Sequence, residues 1–161
     1  KLGECVVNMF GGVGTFSIII AKKQRDSTGY TIDINPEAHR LATENIRLNK
    51  VVDRVTPILG DAGNIIHGSL QGVADRVLMP LPEEASKYLE YALIALKPTR
   101  GIIHYYTHVH GAKRQEAIKE AEKELGERLK VAHQMLYSRM VREVGPRWYQ
   151  VVCDVRIGSG A

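Results

Sequence analysis

The sequence predicts an α/β protein with a mostly parallel, seven-stranded sheet, helices on both faces and one antiparallel strand near its end. Short β-prone runs alternate with helix-compatible segments, which is typical of a parallel sheet covered on both faces. The first such run ends in a glycine-rich turn at 11–14 that leads into a helix-compatible run. The last two strand-like runs have no helical segment between them, so we expect one of them to run antiparallel.

The first half of the chain contains five predicted elements. Residues 5–9 are apolar and β-prone, and residues 16–25 are compatible with a helix. Asn35 and Pro36 predict a helix start, because asparagine caps the first turn and proline there loses no hydrogen bond. We therefore expect strands at 5–9, 30–34 and 55–59, with helices at 16–25 and 36–50. The second helix is expected to turn these residues toward the sheet: Ala38, Leu41, Ala42, Ile46 and Leu48.

The second half begins with a glycine-rich stretch at 63–73, which we expect to be irregular with at most a short helix. Pro80 and Pro82 are expected to end the strand at 76–79. The run of Lys, Arg and Glu from Lys113 to Lys123 predicts a solvent-facing helix with i,i+4 ion pairs. The fifth strand is expected to end before His108. The expected strands are 76–79, 101–107, 129–137 and 148–157, and the expected helices are 83–96 and 112–125.

Composition indicates one globular domain. The 161 residues include 44% hydrophobic and 25% charged residues, and the net charge of +4 permits a nucleic-acid partner without requiring one. Cys5 and Cys153 lie in apolar runs and predict reduced thiols, hence a cytoplasmic location. No apolar run is long enough to span a bilayer, and we expect a monomer. We expect residues 1–157 to form the domain and 158–161 a tail, in a chain that lacks an N-terminal part.

The glycine turn predicts a site for a nucleotide-like ligand. Side chains at Gly12 or Gly14 would hold a ligand off the backbone, and Asp33 lies at the end of the next strand, where an acidic side chain binds ribose hydroxyls. A dinucleotide fingerprint would place a third glycine where this chain has Ser17. Both a nicotinamide dinucleotide and S-adenosylmethionine, which has no pyrophosphate, therefore remain open at this point.

Four motifs together resemble those of one protein family, and this resemblance favours S-adenosylmethionine. They are Asn-Met-Phe-Gly-Gly-Val-Gly-Thr-Phe-Ser at 8–17, Ile-Asp-Ile-Asn-Pro-Glu-Ala at 32–38, Asp-Arg-Val-Leu-Met-Pro-Leu-Pro at 75–82 and Gly-Ile-Ile-His-Tyr-Tyr at 101–106, with Val141, Arg142 and Pro146 as a Val-Arg-x-x-x-Pro tail. The chain resembles the archaeal and eukaryotic tRNA methyltransferases that modify N1 of guanine 37, beside the anticodon. It is also similar in outline to the Rossmann-like class I S-adenosylmethionine-dependent methyltransferase fold.

The resemblance implies S-adenosylmethionine as cofactor and the anticodon loop of tRNA as partner. Asp33 is expected to bind the ribose, Ile34 to pack on adenine and Asp61 to accept from its amino group. The full set of expected cofactor residues is Phe10, Gly12, Gly14, Asp33, Ile34, Asn35, Asp61 and Ala62. The loop Pro80, Leu81 and Pro82 and the side chain of Tyr106 are expected at the reacting centre, and Tyr105 and Arg142 are expected to contact RNA.

The chain departs from the family pattern at several positions. Asn8, Gly11 and Thr15 replace an acid, an alanine and a proline, and Pro80 replaces the asparagine thought to orient the target base. The resemblance also places a proton-accepting glutamate and tRNA-binding domains upstream of Lys1. We therefore expect this chain to bind the cofactor but to methylate tRNA weakly or not at all.

Other functions remain possible from the sequence. A wyosine-pathway aminocarboxypropyl transferase would use the same cofactor, a non-catalytic module would bind tRNA alone, and a nicotinamide oxidoreductase would bind a dinucleotide. His104, His108 and His110 share one face of an extended strand, but no cysteine or acid accompanies them, so we expect no metal site.

Overall fold

The computed structural model describes residues 3–158, which form one sheet with helices on both faces. The strands are β1 (Cys5–Asn8), β2 (Thr28–Asp33), β3 (Val55–Leu59), β4 (Arg76–Met79), β5 (Gly101–His110), β6 (His133–Gly145) and β7 (Trp148–Ile157). The helices are α1 (Thr15–Lys23), α2 (Pro36–Leu48), α3 (Ala62–Ser69), α4 (Pro82–Ala95) and α5 (Arg114–Arg128).

The sheet order is β3-β2-β1-β4-β5-β7-β6. The first five strands are parallel, and β7 runs antiparallel to both β5 and β6, which confirms the predicted fold class. The chain leaves β1 toward β2 and β3, then returns to the other side of β1 with β4. This reversal opens a crevice between the carboxyl ends of β1 and β4, where open α/β sheets bind their ligands.

Two apolar layers cover the sheet unequally. Helices α1 and α2 pack on β1, β2 and β3 around a small core of Ile18, Ala21, Ile46, Val51 and Val55. The larger core lies on the other face, beneath α3, α4 and α5. Consequently, within residues 3–158, no helix covers the α1-side face of β5, β7 and β6. We call this surface the open face.

Several predicted boundaries are wrong. The short helix expected within 63–73 is confirmed as α3, but it begins earlier, at Ala62, because Asp61 caps it by accepting from the Asn64 N–H (2.9 Å). Strand β5 continues to His110, because β7 pairs with its whole length. Strand β6 covers 133–145 instead of 129–137, and α5 buries a stripe of small and apolar residues in addition to its charged face. Leu48 is exposed, since it lies at the last turn of α2.

Within residues 3–158, no helix has both the length and the apolarity needed to cross a membrane. Cys153 is buried in β7 and Cys5 is partly buried in β1, and both thiols are free. Burial raises the pKa of the Cys153 thiol to about 11, so this group is protonated and unreactive at neutral pH.

Candidate cofactor and nucleic-acid site

The glycine turn after β1 is held by one carboxylate. Asp33 accepts a hydrogen bond from the Gly12 N–H (2.7 Å) through one oxygen and from the Asn35 N–H (2.9 Å) through the other. The Gly11 N–H donates to the Ile32 carbonyl (2.7 Å), which ties the turn to the end of β2. A carboxylate has about four acceptor positions, so Asp33 retains two for ribose hydroxyls.

Two of the turn glycines, Gly12 and Gly14, have different roles. Gly12 has φ +54°, and a Cβ there would meet no protein atom within 4 Å, so it would project into open space at the crevice. Gly14 has φ +87° and begins α1, and its Cβ would contact Ile18 and Ala42. A side chain at Gly14 would therefore face α1 and α2 at ordinary van der Waals distances and not the ligand, so the expectation that it would obstruct the ligand is wrong and the positive φ is what favours glycine there.

Asp61 and Tyr88 form the far wall of the crevice. Asp61 accepts from the Asn64 N–H with one oxygen and from the Tyr88 hydroxyl with the other. The hydrogen bond to Asp61, with a smaller effect of burial, raises the pKa of Tyr88 to about 12, so Tyr88 acts only as a donor at neutral pH. Its ring contacts Phe10 edge to face, at a centroid distance of 5.2 Å. This wall therefore offers apolar ring surface beside a carboxylate acceptor.

These groups enclose a cavity of about 630 Å³, which we call the nucleoside cavity. That volume lies within the usual range for small-molecule sites. Six of the predicted cofactor residues line it: Phe10, Gly12, Asp33, Ile34, Asp61 and Ala62. Asn35 and Gly14 are not in its lining; Asn35 caps α2 and donates its N–H to Asp33.

A second depression of about 380 Å³ lies on the open face, and we call it the open-face cleft. Phe16 and Pro80 line both depressions, so the two are contiguous. Tyr106, Tyr137 and Arg139 form much of its wall. Burial, with a smaller opposing effect from Arg139, raises the pKa of Tyr106, so its hydroxyl stays protonated at neutral pH. The cleft thus combines aromatic rings with hydrogen-bond donors.

A chain of polar side chains lies at the bottom of this cleft. Glu4 accepts from the Arg76 Nε (2.6 Å), and Arg76 lies 3.2 Å from His104 Nε2. Since arginine can only donate, His104 Nε2 is the acceptor, and His104 Nδ1–H donates to Asp154 (2.7 Å). These hydrogen bonds link the residue before β1 and the first residue of β4 to mid-strand residues of β5 and β7, and they stiffen the surface beneath the cleft.

Glu4→Gln is expected to lower the free energy of unfolding at pH 7 by about 1.5 kcal/mol, because the buried hydrogen bond from Arg76 loses its negatively charged acceptor. Burial would raise the pKa of Glu4, but the hydrogen bond and charge of Arg76 outweigh it, so the pKa is below 4.5. The stabilisation is therefore fully present above pH 4.5 and disappears as pH falls through the lowered value. Urea unfolding of both proteins at pH 7 and pH 3 measures this. An equal difference at the two pH values contradicts it.

The structure places only some of the predicted catalytic and RNA-contacting residues in the two depressions. Pro80 and Leu81 line the nucleoside cavity and Tyr106 lines the open-face cleft, whereas Pro82 begins α4 and is in neither lining. Tyr105 is only 3% exposed and belongs to the core beneath α5, because neighbouring residues of a strand face opposite sides. The prediction that Tyr105 contacts RNA is therefore wrong.

Arg142 is exposed in β6 and donates from Nε to the side-chain oxygen of Gln150 (2.9 Å), so its contact with RNA stays a prediction. The sequence analysis missed Glu84 and Tyr88, which line the nucleoside cavity one helical turn apart on α4. Their i,i+4 spacing directly after the Pro80 loop is the signal that could have identified them. In the described part of the chain, no three His, Cys, Asp or Glu side chains are grouped to hold a metal ion.

The sheet order and the position of the nucleoside cavity define a class I S-adenosylmethionine-dependent methyltransferase domain. A cavity at the switch point, with Asp33 and Asp61 on its walls, is consistent with a nucleoside ligand. The chain belongs to the TRM5/TYW2 methyltransferase domain family, whose sequence model matches residues 1–138.

Two curated relatives are equally similar in sequence. The tRNA (guanine(37)-N(1))-methyltransferase Trm5b of Pyrococcus abyssi is 39% identical over 155 residues, which cover 96% of this chain and 44% of that protein. The tRNA 4-demethylwyosine(37)-methyltransferase Taw21 of Saccharolobus solfataricus is 39% identical over 156 residues, which cover 97% of this chain and 55% of that protein. The chain thus spans about half the length of these relatives.

Solved structures agree with this assignment. The crystal structure of Trm5b from Pyrococcus abyssi has a TM-score of 0.80 at 38% identity, covering 98% of this chain and 45% of that one. M. jannaschii TYW2 in complex with AdoMet has a TM-score of 0.80 at 31% identity, with 98% and 70% covered. The complex of aTrm5 and tRNALeu has a TM-score of 0.77 at 37% identity, with 98% and 42% covered.

Proposed function

We propose that this chain is the S-adenosylmethionine-dependent catalytic domain of a tRNA methyltransferase that acts on N1 of guanosine 37. The continuity of the nucleoside cavity with the open-face cleft, through Phe16 and Pro80, carries the proposal. A transferase needs two adjoining sites, one for the donor and one for the acceptor. The relatives named for this reaction, and the related structures solved with AdoMet or with tRNA, support the choice of ligands.

The residues of the nucleoside cavity fit the cofactor. Asp33 would accept from the ribose hydroxyls, and Asp61, oriented by Tyr88, would accept from the adenine amino group. Gly12 leaves space for the ligand to approach the backbone. The cofactor supplies a methyl group on a positively charged sulfur, so the protein mainly orients the donor and acceptor.

The open-face cleft fits an unstacked base. Tyr106 and Phe16, whose ring centroids are 6.4 Å apart, form an aromatic wall beside Pro80. Aromatic faces suit bases that have been taken out of a loop. Pro80 has no amide side chain with which to hold the base edge, so in this chain the orientation of the base depends on the walls of the cleft.

Removal of the N1 proton of guanine is the demanding step. Among the residues that line the two depressions, Asp154 is bound by His104, Glu84 pairs with Lys87 and Tyr106 stays protonated. The remaining carboxylates, Asp33 and Asp61, are assigned to the cofactor. None of these groups is poised to accept the proton. We therefore expect tight cofactor binding but weak or absent methyl transfer by this chain alone, acting as a cytoplasmic monomer on the anticodon loop.

The test combines calorimetric titration with S-adenosylmethionine and a transfer assay on transcripts that carry guanosine or adenosine at position 37. We expect one cofactor per chain and, where product forms, a methylated nucleoside from the guanosine transcript only. Absence of cofactor binding contradicts the proposal, and rapid turnover contradicts the expected weak transfer. A product heavier by an aminocarboxypropyl group would identify the wyosine-pathway transferase instead.

A further inference from the structure

The tip of the β6–β7 hairpin is a second aromatic and basic surface, outside the nucleoside cavity and the open-face cleft. Trp148 is 47% exposed there, and its ring lies edge to face on His110, at a centroid distance of 5.7 Å. Arg147 precedes it in the turn, and Arg142 is exposed in the adjoining strand. An exposed indole beside arginines is the composition that binds unpaired bases in RNA.

The strand register places this tip on the open face. Antiparallel partners share a face, and the pairs Tyr106–Val152, His108–Gln150 and His110–Trp148 run in one line along β5 and β7. Val152 and Tyr106 line the open-face cleft. Trp148 therefore lies on the same side of the sheet as the proposed acceptor site.

The tip also extends past the mouth of the nucleoside cavity. Strand β4 ends at Met79, level with Tyr105, whereas β5 continues to His110 with β7 paired beside it. Five further residues at ~3.3 Å each carry the ribbon about 16 Å beyond the end of β4. If the target base of an RNA loop enters the open-face cleft, the nucleotides next to that base lie close to this extended part of β5 and β7.

The turn contains a strained arginine. Pro146 followed by Arg147 at φ +60° has the pattern of a type II turn, in which the second position favours glycine. The Arg147 carbonyl accepts from the Gly111 N–H (3.0 Å), so the turn is attached to the end of β5. Replacement of Arg147 by glycine would therefore remove the side chain without adding backbone strain to the turn.

The charges on this part of the open face favour an anion. Arg139, Arg142 and Arg147 lie on β6 and the turn, while Asp154 is bound by His104 and Glu83 lies 3.6 Å from His108. We propose that Trp148 and Arg147 bind an unpaired nucleotide that flanks the target base, by stacking on the indole and by contact with its phosphate. This inference rests on the proposed function and assigns it an additional RNA-contacting surface.

The chain provides its own probe, because Trp148 is its only tryptophan. Titration with an anticodon stem-loop that carries guanosine 37 is expected to quench tryptophan fluorescence to saturation. A duplex of the same stem without the loop is expected to cause no comparable quenching. Equal quenching by both RNAs overturns stacking on an unpaired base.

Variants separate binding from folding. Trp148→Ala is expected to weaken stem-loop binding at least about fivefold, whereas Trp148→Phe keeps most of the affinity because a stacking face remains. Arg147→Gly relieves the backbone strain, so its urea midpoint should equal or exceed that of the parent while its RNA affinity falls. If Arg147 had a purely structural role, its replacement by glycine would change the urea midpoint and the RNA affinity in the same direction. Cofactor affinity, measured by calorimetry, is expected to be unchanged in all three variants.

The outcomes distinguish the two proposals. If the unchanged chain binds the stem-loop with no change in fluorescence, and Trp148→Ala binds it equally well, the hairpin surface is wrong and the proposed function stands. If the unchanged chain binds cofactor but no RNA, both the hairpin surface and the tRNA part of the proposed function are wrong.

Discussion

Asp33→Ala is expected to weaken binding of S-adenosylmethionine by about 100-fold or more. Two ribose hydroxyls would lose a charged acceptor, and hydrogen bonds to charged groups are worth about 1.5–3 kcal/mol each. The Gly12 and Asn35 N–H groups would also lose their acceptor, so the turn itself loosens. Calorimetry with the parent and the variant measures the effect.

Two controls separate the ribose contacts from the turn. Asp33→Asn keeps one acceptor oxygen, so its affinity is expected to lie between those of the parent and the alanine variant. The parent should prefer adenosine over 2′,3′-dideoxyadenosine, and Asp33→Ala should bind the two equally weakly. Preference for adenosine retained by the alanine variant would show that another residue binds the ribose.

Gly12→Ala is expected to reduce cofactor affinity by about 5- to 150-fold, because a methyl group in a closely fitted space costs about 1–3 kcal/mol. A Cβ at this position meets no protein atom within 4 Å, so the methyl group would obstruct the ligand and spare the protein core. The positive φ of +54° adds a stability cost of about 1 kcal/mol.

Gly72→Ala is the matched control for this substitution. Gly72 has φ +68°, and the nearest atom to its added Cβ is Pro98 Cδ at 3.8 Å, so the backbone cost is similar. It precedes β4 and therefore lies at the edge of the sheet opposite the nucleoside cavity. Both variants should lose similar stability in urea, and only Gly12→Ala should lose cofactor affinity. Equal affinities in the two variants would place the ligand away from Gly12.

The pattern of the chain was sufficient to predict the cofactor half of the site. A strand, a glycine turn, a helix and an acid after the next strand are local features, and their order along the chain determines where they meet in a parallel sheet. Gly12 and Asp33 were found in this way, Asp61 followed from the resemblance to the family, and all three line one cavity. The position of the switch point between β1 and β4 came from the strand order in the structure.

The residues of the proposed acceptor site, in the open-face cleft, could not be predicted in this way, because their positions depend on contacts between distant segments. Tyr105 and Tyr106 are neighbours in a strand, so their side chains point to opposite faces of the sheet. Helix α5 covers one face, and this decides that Tyr105 is buried and Tyr106 faces the cleft. Tyr88 comes to Asp61 from 27 residues away, and Trp148 comes to His110 only because β7 pairs along the whole length of β5.

By itself, the sequence determined the fold class, the cofactor turn and the family, because these depend on local periodicity and on motifs that are short and contiguous. Only the tertiary structure decided which tyrosine lines the cleft, that a side chain at Gly14 would face α1 and α2, and that an aromatic and basic hairpin tip lies on the open face. The physical reason is that side-chain exposure is set by long-range strand pairing and helix packing, which no local pattern records.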